Sequence, residues 1–448
     1  MSKPSYHVLI TSLEAYGHIN AICGFGELLV RHGHKVTFAH RLKYEKLAIQ
    51  HGFDFIPFDE AAIGTICEED LLKWIDANAD KCRQDPMERF KNYTEEEKEA
   101  VAFGVEIFRK LNRALVPLLE ENSFDAIVHG SLDIVDCIYK QAIPVISSFS
   151  CAPLILYEKG PPGMSGFSVN SDPKLWKKYE EYYTDAFSKM AENFNVLLRE
   201  SGRPEDFLPT QWTLPLKTIG FYHYPADLDY TEFAPVKPGW HRIDCCVRSP
   251  DEDSIFELPE KLKDKPGKLI YFSLGPIASN DTPIMNKFIS ILARCGHRVI
   301  VSMGKRGDKL NLSDNMWGQE YVNQIAVIEK VDLVITHGGN NTFMESLCHG
   351  KPMIVIPWFD DQLDNAQRVV DKEIGYRVNP WELDEDYFLN CIEKVLNDQQ
   401  LQQRVKKISE NMRNSNSGAK AVKMIEDLIV ESKKVKSSFT QFTGDSIS

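Results

Sequence analysis

Residues 333–362, LVITHGGNNTFMESLCHGKPMIVIPWFDDQ, restrict the possible folds of this chain more than any other stretch. An apolar run (Leu333, Val334, Ile335) enters His337-Gly338-Gly339-Asn340-Asn341-Thr342 directly. A helical pattern opens at Phe343, and a second apolar run, 353–356, follows Gly350-Lys351-Pro352. Strand, glycine turn, helix and strand make a βαβ unit. The glycines allow close backbone approach to a ligand, and the helix start offers free N–H groups and a positive dipole end. With Asn341 and Thr342 beside them, the donors match a diphosphate. Glu345 lies on the same helix face, three and four residues on, where it can accept from a vicinal diol such as ribose. Asp361 and Gln362 stand just beyond the next strand, at the carboxyl edge where open α/β sheets bind ligands. The plainer alternative is a tight turn whose His and Asn only cap the helix.

This pattern resembles the nucleotide-sugar signature of family 1 UDP-glycosyltransferases, particularly the soluble bacterial macrolide-type and arthropod (mite-like) members. The residues that carry the resemblance are Gln324, His337, Gly338, Gly339, Asn341, Thr342, Glu345, Pro357, Asp361 and Gln362. A second resemblance lies in GHINAICGFGELLVRHGHKVTFAH, residues 17–40, so that it spans nearly the whole chain. It implies the α/β GT-B architecture, two doubly wound Rossmann-like domains facing across a cleft. The implied donor site comprises Gly17, Gly275, Ser302, Tyr321, Gln324, His337, Gly339, Asn340, Asn341, Thr342, Glu345, Asp361 and Gln362. His18 would be the general base, and Asp133 the carboxylate that orients it. A plain N-cap role is equally open to Asp133, which stands later than the family's usual aspartate, whose place Gly130 holds.

Five further positions depart from the family. Ala21 stands where proline is usual; Pro276 and Ile277 follow Gly275 where small or hydroxyl residues are usual. Tyr321-Val322-Asn323-Gln324 replaces Trp-x-Pro-Gln, with Tyr321 still able to stack on a base and Gln324 to reach ribose.

Composition narrows the partners. The 448 residues carry 52 basic and 65 acidic side chains, a formal charge of −13, which argues against nucleic acid or an anionic membrane. No start-transfer signal or bilayer-length apolar run is expected to anchor the chain, and ten cysteines without CxxC spacing read as reduced thiols of a cytoplasmic protein. The predicted organisation is an acceptor domain over 1–223, a Pro-rich acidic linker over 224–267 and a donor domain over 268–400. A returning helix over 401–436 and a tail over 437–448 complete it. A loop over 151–171, with Pro161-Pro162-Gly163, is placed to fold over the cleft. The aromatic residues Trp74, Phe90, Phe103 and Phe108 are candidates for an acceptor pocket or for core packing.

The expected activity is inverting transfer of a sugar, glucose by the resemblance at Gln362, from UDP-sugar to a hydroxyl. A flavonoid, phenol or xenobiotic would be the acceptor, as in detoxification. Neither metal nor cofactor is expected, and a monomer is. The competing readings are a UDP-sugar epimerase and a non-catalytic nucleotide-sugar-binding protein.

Overall fold

The computed structural model describes residues 4–64, 68–102, 105–131, 133–250 and 255–444. Two parallel sheets form because apolar strands alternate with helices, and each crossover helix covers a sheet face. The first contains β1 (His7–Ser12), β2 (Lys35–His40), β3 (Asp54–Pro57), β4 (Ala126–Gly130), β5 (Val145–Phe149), β6 (Ile219–His223) and β7 (Trp240–Ile243), in the order β3-β2-β1-β4-β5-β6-β7. The second contains β8 (Leu269–Ser273), β9 (Arg298–Ser302), β10 (Met316–Gln319), β11 (Leu333–Thr336), β12 (Met353–Val355) and β13 (Gly375–Arg377), in the order β10-β9-β8-β11-β12-β13. Central strands such as β1 and β11 are buried on both faces, which is why they read as unbroken apolar runs rather than as alternation.

Strand order locates the ligand crevice. In the first sheet the direction of winding reverses between β1 and β4, which pair with Ser12 opposite Gly130. In the second it reverses between β8 and β11, with Ser273 opposite Thr336. Loops diverge at such switch points and leave an opening at the strand ends. The loops that carry His18 and Ser131 therefore flank one opening, and those that carry Gly275 and His337 flank the other.

Several elements differ from expectation. The segment 224–267 contains β7, paired in parallel with β6, so the first domain extends beyond its predicted end at 223. Proline and acidic residues around a four-residue strand hid it. The stretch 173–200 forms two helices, Pro173–Ala186 and Ser188–Glu200, which meet at Phe187 (φ −103°, ψ 14°). The returning helix is also two, Gln399–Asn414 and Ser417–Gly444. Its break at Ser415 is fixed by a hydrogen bond from that hydroxyl to Asp244 Oδ2 at 2.6 Å, while Ser417 Oγ accepts from Asp244 N at 2.9 Å. The last helix passes through the start of the expected tail; 445–448 lie outside the described residues.

The helix Ser417–Gly444 inserts Ala421, Val422, Ile425 and Ile429 into the core of the first sheet, against Leu28 and Leu29. Burying four such side chains stabilises the return by several kcal/mol, at ~25 cal/mol per Å² of apolar surface. Beside this crossing Cys245 Sγ lies 3.5 Å from Cys348 Sγ, at the end of the helix Asn340–Cys348. The carbonyl of Cys246 abuts Gly24 in the helix Tyr16–Arg31, where a Cβ would come within 2.1 Å of it. Both chain crossings between the domains thus pass through one place.

Candidate active site

The two switch points open onto one cleft of about 910 Å³. On the first domain's side His18 enters from the start of the helix Tyr16–Arg31. Its Nδ1 lies 2.9 Å from Ser150 Oγ and 3.4 Å from Ser131 Oγ. Burial pushes its pKa down to about 4, and no neighbouring charge raises it. With the proton on Nδ1 donated to Ser150, the Nε2 lone pair is left for an acceptor. Asp133 also lines the cleft, but it accepts a hydrogen bond from Ser147 Oγ at 2.5 Å and lies 3.8 Å from His129 Nε2. Among the described residues no carboxylate is hydrogen-bonded to His18, so the expected His18–Asp133 pair is not formed. Ser131 and Ser150 take its place. Ser150 is not among the sequence candidates; it directly follows β5, and that place at the carboxyl edge is the signal that could have found it.

On the opposite side the His337 ring fills the space between two glycines. A Cβ on Gly275 would lie 2.5 Å from His337 Cε1, and one on Gly339 would lie 2.4 Å from Nε2. Gly275 also holds φ +73°, a left-handed conformation that favours glycine. These glycines admit an imidazole as well as a ligand. Burial pushes the His337 pKa down to about 4, so it stands neutral as a donor beside the N-terminus of the helix Asn340–Cys348. Pro276 occupies the first turn of a short helix, Gly275–Ala278, where its missing N–H costs nothing. Asn323 serves where proline was expected, its side chain capping the helix Gln324–Ile328 through Ala326 N at 3.3 Å.

The candidate donor residues divide into groups. Gly17, Ser302, Tyr321, Gln324, Asn341, Thr342, Asp361 and Gln362 all line the cleft, and the Tyr321 ring is largely exposed to it. Glu345 lies behind them, buried, and accepts a hydrogen bond from Gln324 Nε2 at 2.5 Å, while Thr342 Oγ1 accepts from the same nitrogen at 3.0 Å. Burial pushes the Glu345 pKa up. Asn340 lines the cleft, yet its amide donates to His223 O at 3.3 Å and its Oδ1 accepts from Asn365. Its side chain joins the domains. Asn341 Nδ2 likewise donates to Gly17 O at 2.6 Å, directly across the cleft. Gln362 Oε1 accepts from Trp358 N and Phe359 N, which leaves its amide N–H₂ as the group presented to a ligand. Asp361 Oδ2 accepts from Ala152 N at 3.0 Å, and burial pushes its pKa up to about 7.

The loop over 151–171 closes over this side of the cleft. Asp364 accepts from Met164 N and Gly166 N at 2.6 and 3.0 Å, and Asp371 from Ser168 Oγ at 2.8 Å. The remaining wall is apolar, with Leu13, Tyr16, Tyr44, Phe108, Phe194 and Trp212. Phe90 packs instead in the core with Tyr179 and Tyr183. Phe103 and the Trp74 side chain lie outside the described residues.

Comparison with known proteins agrees with this geometry. Residues 254–416 match the family model "UDP-glucoronosyl and UDP-glucosyl transferase". Together with the relatives below, this match supports a family 1 glycosyltransferase. It is 24% identical to the NDP-glycosyltransferase YjiC of Bacillus subtilis over 95% of this chain and 98% of that protein. Its 28% identity to the UDP-glucosyltransferase YdhE of the same organism spans 39% of this chain and 45% of that one. The crystal structure of the glycotransferase of kitacinnamycin superposes with a TM-score of 0.68 at 19% identity, covering 95% of this chain and 99% of that one. The fold is GT-B, and this glycosyltransferase takes its sugar from a nucleotide sugar. Among its described residues no helix is long and apolar enough to cross a membrane.

Proposed function

We propose that this glycosyltransferase moves glucose, with inversion and without a metal, from UDP-glucose to a hydroxyl of a small lipophilic acceptor. The observation that carries the reading is the pair of neutral histidines entering one cleft from opposite domains, linked by the Asn341–Gly17 bond. His18 Nε2 takes the acceptor proton as the oxygen attacks the anomeric carbon, and the bond to the diphosphate breaks with its electron pair leaving on UDP. His337, Thr342 and the free N–H groups of the helix Asn340–Cys348 stabilise the charge that develops there. Tyr321 stacks on the base, Gln324, backed by Glu345, takes the ribose, and Asp361 with the Gln362 amide holds the sugar. The apolar wall opposite favours a lipophilic acceptor.

The test pairs UDP-glucose, UDP-galactose, UDP-glucuronate and UDP-N-acetylglucosamine with a hydroxylated aromatic panel, with and without chelator, read by mass spectrometry. Addition of one hexose from UDP-glucose, undiminished by chelator, is expected. In His18→Ala kcat should fall by roughly 10²–10⁴-fold, the usual worth of a general base. Equal turnover by the variant removes His18 as base, and conversion of the donor alone marks an epimerase.

A further inference from the structure

Two thiols meet where the chain crosses between the domains. Cys245 Sγ and Cys348 Sγ lie 3.5 Å apart, although 103 positions separate them in the chain. Each is anchored on its own side. Cys246, the next residue, sits in the core of the first sheet with Phe25 and Ile243. Cys348 ends the helix Asn340–Cys348, and its carbonyl accepts from Ser409 Oγ at 2.6 Å. Among the described cysteines only Cys151, Cys245 and Cys348 are not buried. Desolvation holds the Cys151 thiol well above the ordinary range, so it keeps its proton. Cys245 differs: the hydrogen bond from Cys348, with Val247 N–H and the charge of Arg31, brings its pKa down to about 7 against burial. Cys348, donating to Cys245 and facing its charge, is held up in turn.

We propose that Cys245 and Cys348 form a reversible disulfide across the domain boundary, with a peroxide as oxidant, and that this bond restrains opening of the cleft. A disulfide needs the sulfurs to close by about 1.5 Å, within the reach of rotation about one Cα–Cβ bond. The Cys245 thiolate attacks one peroxide oxygen, the O–O bond breaks with its electron pair on the departing hydroxide, and a sulfenic acid remains. Its negative charge is then gone, and Arg413 is left to favour the Cys348 thiolate. Cys348 gives its proton to the hydroxide and attacks the Cys245 sulfur, whose S–O bond breaks as a second water leaves. Two thiols are oxidised to one disulfide, and one peroxide is reduced to two waters. The helix so tethered carries at its other end Asn341, which donates to Gly17 O across the cleft. UDP leaves when the two rims part, and a bond from this helix to the crossing opposes that motion. Neither the donor sugar nor the acceptor enters this chemistry.

The experiment treats the full chain with stoichiometric hydrogen peroxide and reads it in two ways. The intact mass should fall by about 2 Da, the two hydrogens lost on disulfide formation. Non-reducing peptide mapping with fragmentation should place the link between Cys245 and Cys348, and dithiothreitol should undo it. A gain of oxygen without a link, or a link made through Cys246, overturns the proposal. The second reading is the release of a fluorescent UDP analogue chased with excess UDP. It should slow by about tenfold in the oxidised protein, as a restrained opening step requires, and recover with dithiothreitol. Cys348→Ser keeps Cys245 but cannot close the bond, so its release rate should be the same before and after peroxide. Linked protein that releases the analogue as fast as reduced protein overturns the restraint on opening. Equal slowing in Cys348→Ser overturns it as well, by assigning the effect to another site.

Discussion

At the scale of single residues the cleft is organised around two half-buried imidazoles, and the pH behaviour follows from them. Folding depresses the His18 pKa from about 6.5 to about 4, so the neutral base persists as pH falls through 6 and 5. A profile of kcat/KM should therefore show no acid limb from His18 near pH 6.5, and one only near pH 4. The stability tied to keeping that ring neutral is lost over the same fall, from 6.5 towards 4. Gly275→Ala combines a left-handed φ with a Cβ 2.5 Å from His337. Strain of ~1–3 kcal/mol displaced onto that ring should raise the donor KM by about tenfold or more, measurable by initial rates or calorimetry. The sequence made His18, His337 and the glycines legible through their position at strand ends. It did not show that Gly275 and Gly339 accommodate an imidazole, because that closeness joins segments some sixty residues apart. Nor could it show that Asp133 answers to Ser147, since the choice between two neighbouring partners is made by side-chain packing.

Among the elements, the loop over 151–171 and the helix Asp361–Asp371 form the part of the site most dependent on buried carboxyls. Asp364 caps two loop N–H groups, and burial lifts its pKa to about 7. Its folded pKa exceeds the unfolded value near 3.9. What it contributes to stability is therefore greatest below pH 4 and declines as pH rises from about 4 to about 7. Asp364→Ala should lower the melting temperature by several degrees at pH 4.5, as unsatisfied buried donors do, and by less at pH 7.5. The sequence revealed the loop through Pro161-Pro162-Gly163 and the central βαβ unit through its periodicity. It concealed β7 (WHRI) and β10 (MWGQ), because polar residues break up their few apolar positions and neither reads as an unbroken run as β11 (LVIT) does. The helix break at Ser415 was equally silent, since its cause is Asp244, distant in sequence.

For the whole molecule, the cleft is bridged by contacts of unequal strength. Arg368, buried, donates to Leu228 O, Asp229 O and Glu232, and Arg89 donates to Trp358 O at 2.7 Å. Elsewhere the pair Arg306–Asp76, at 2.7 and 2.8 Å, lies with its carboxylate exposed to solvent, where salt screens it. Asp76→Asn should leave the melting temperature where it is. It should also abolish the salt dependence of domain separation, followed by fluorescence transfer between labels on the two rims. A dependence that persists in the variant would assign it to other contacts. The chain passes between domains at Asp244 and again at Ser415, and the two passages are bonded to each other. Mechanically that is a pin joint, and the helix Asn340–Cys348, with Cys348 beside the pin, is a lever arm of ~13 Å at 1.5 Å per residue. A swing of only about four degrees moves the tip of such an arm by about 1 Å. That is enough to part Asn341 from Gly17, so small rotations at the pin connect or disconnect the two halves of the machine.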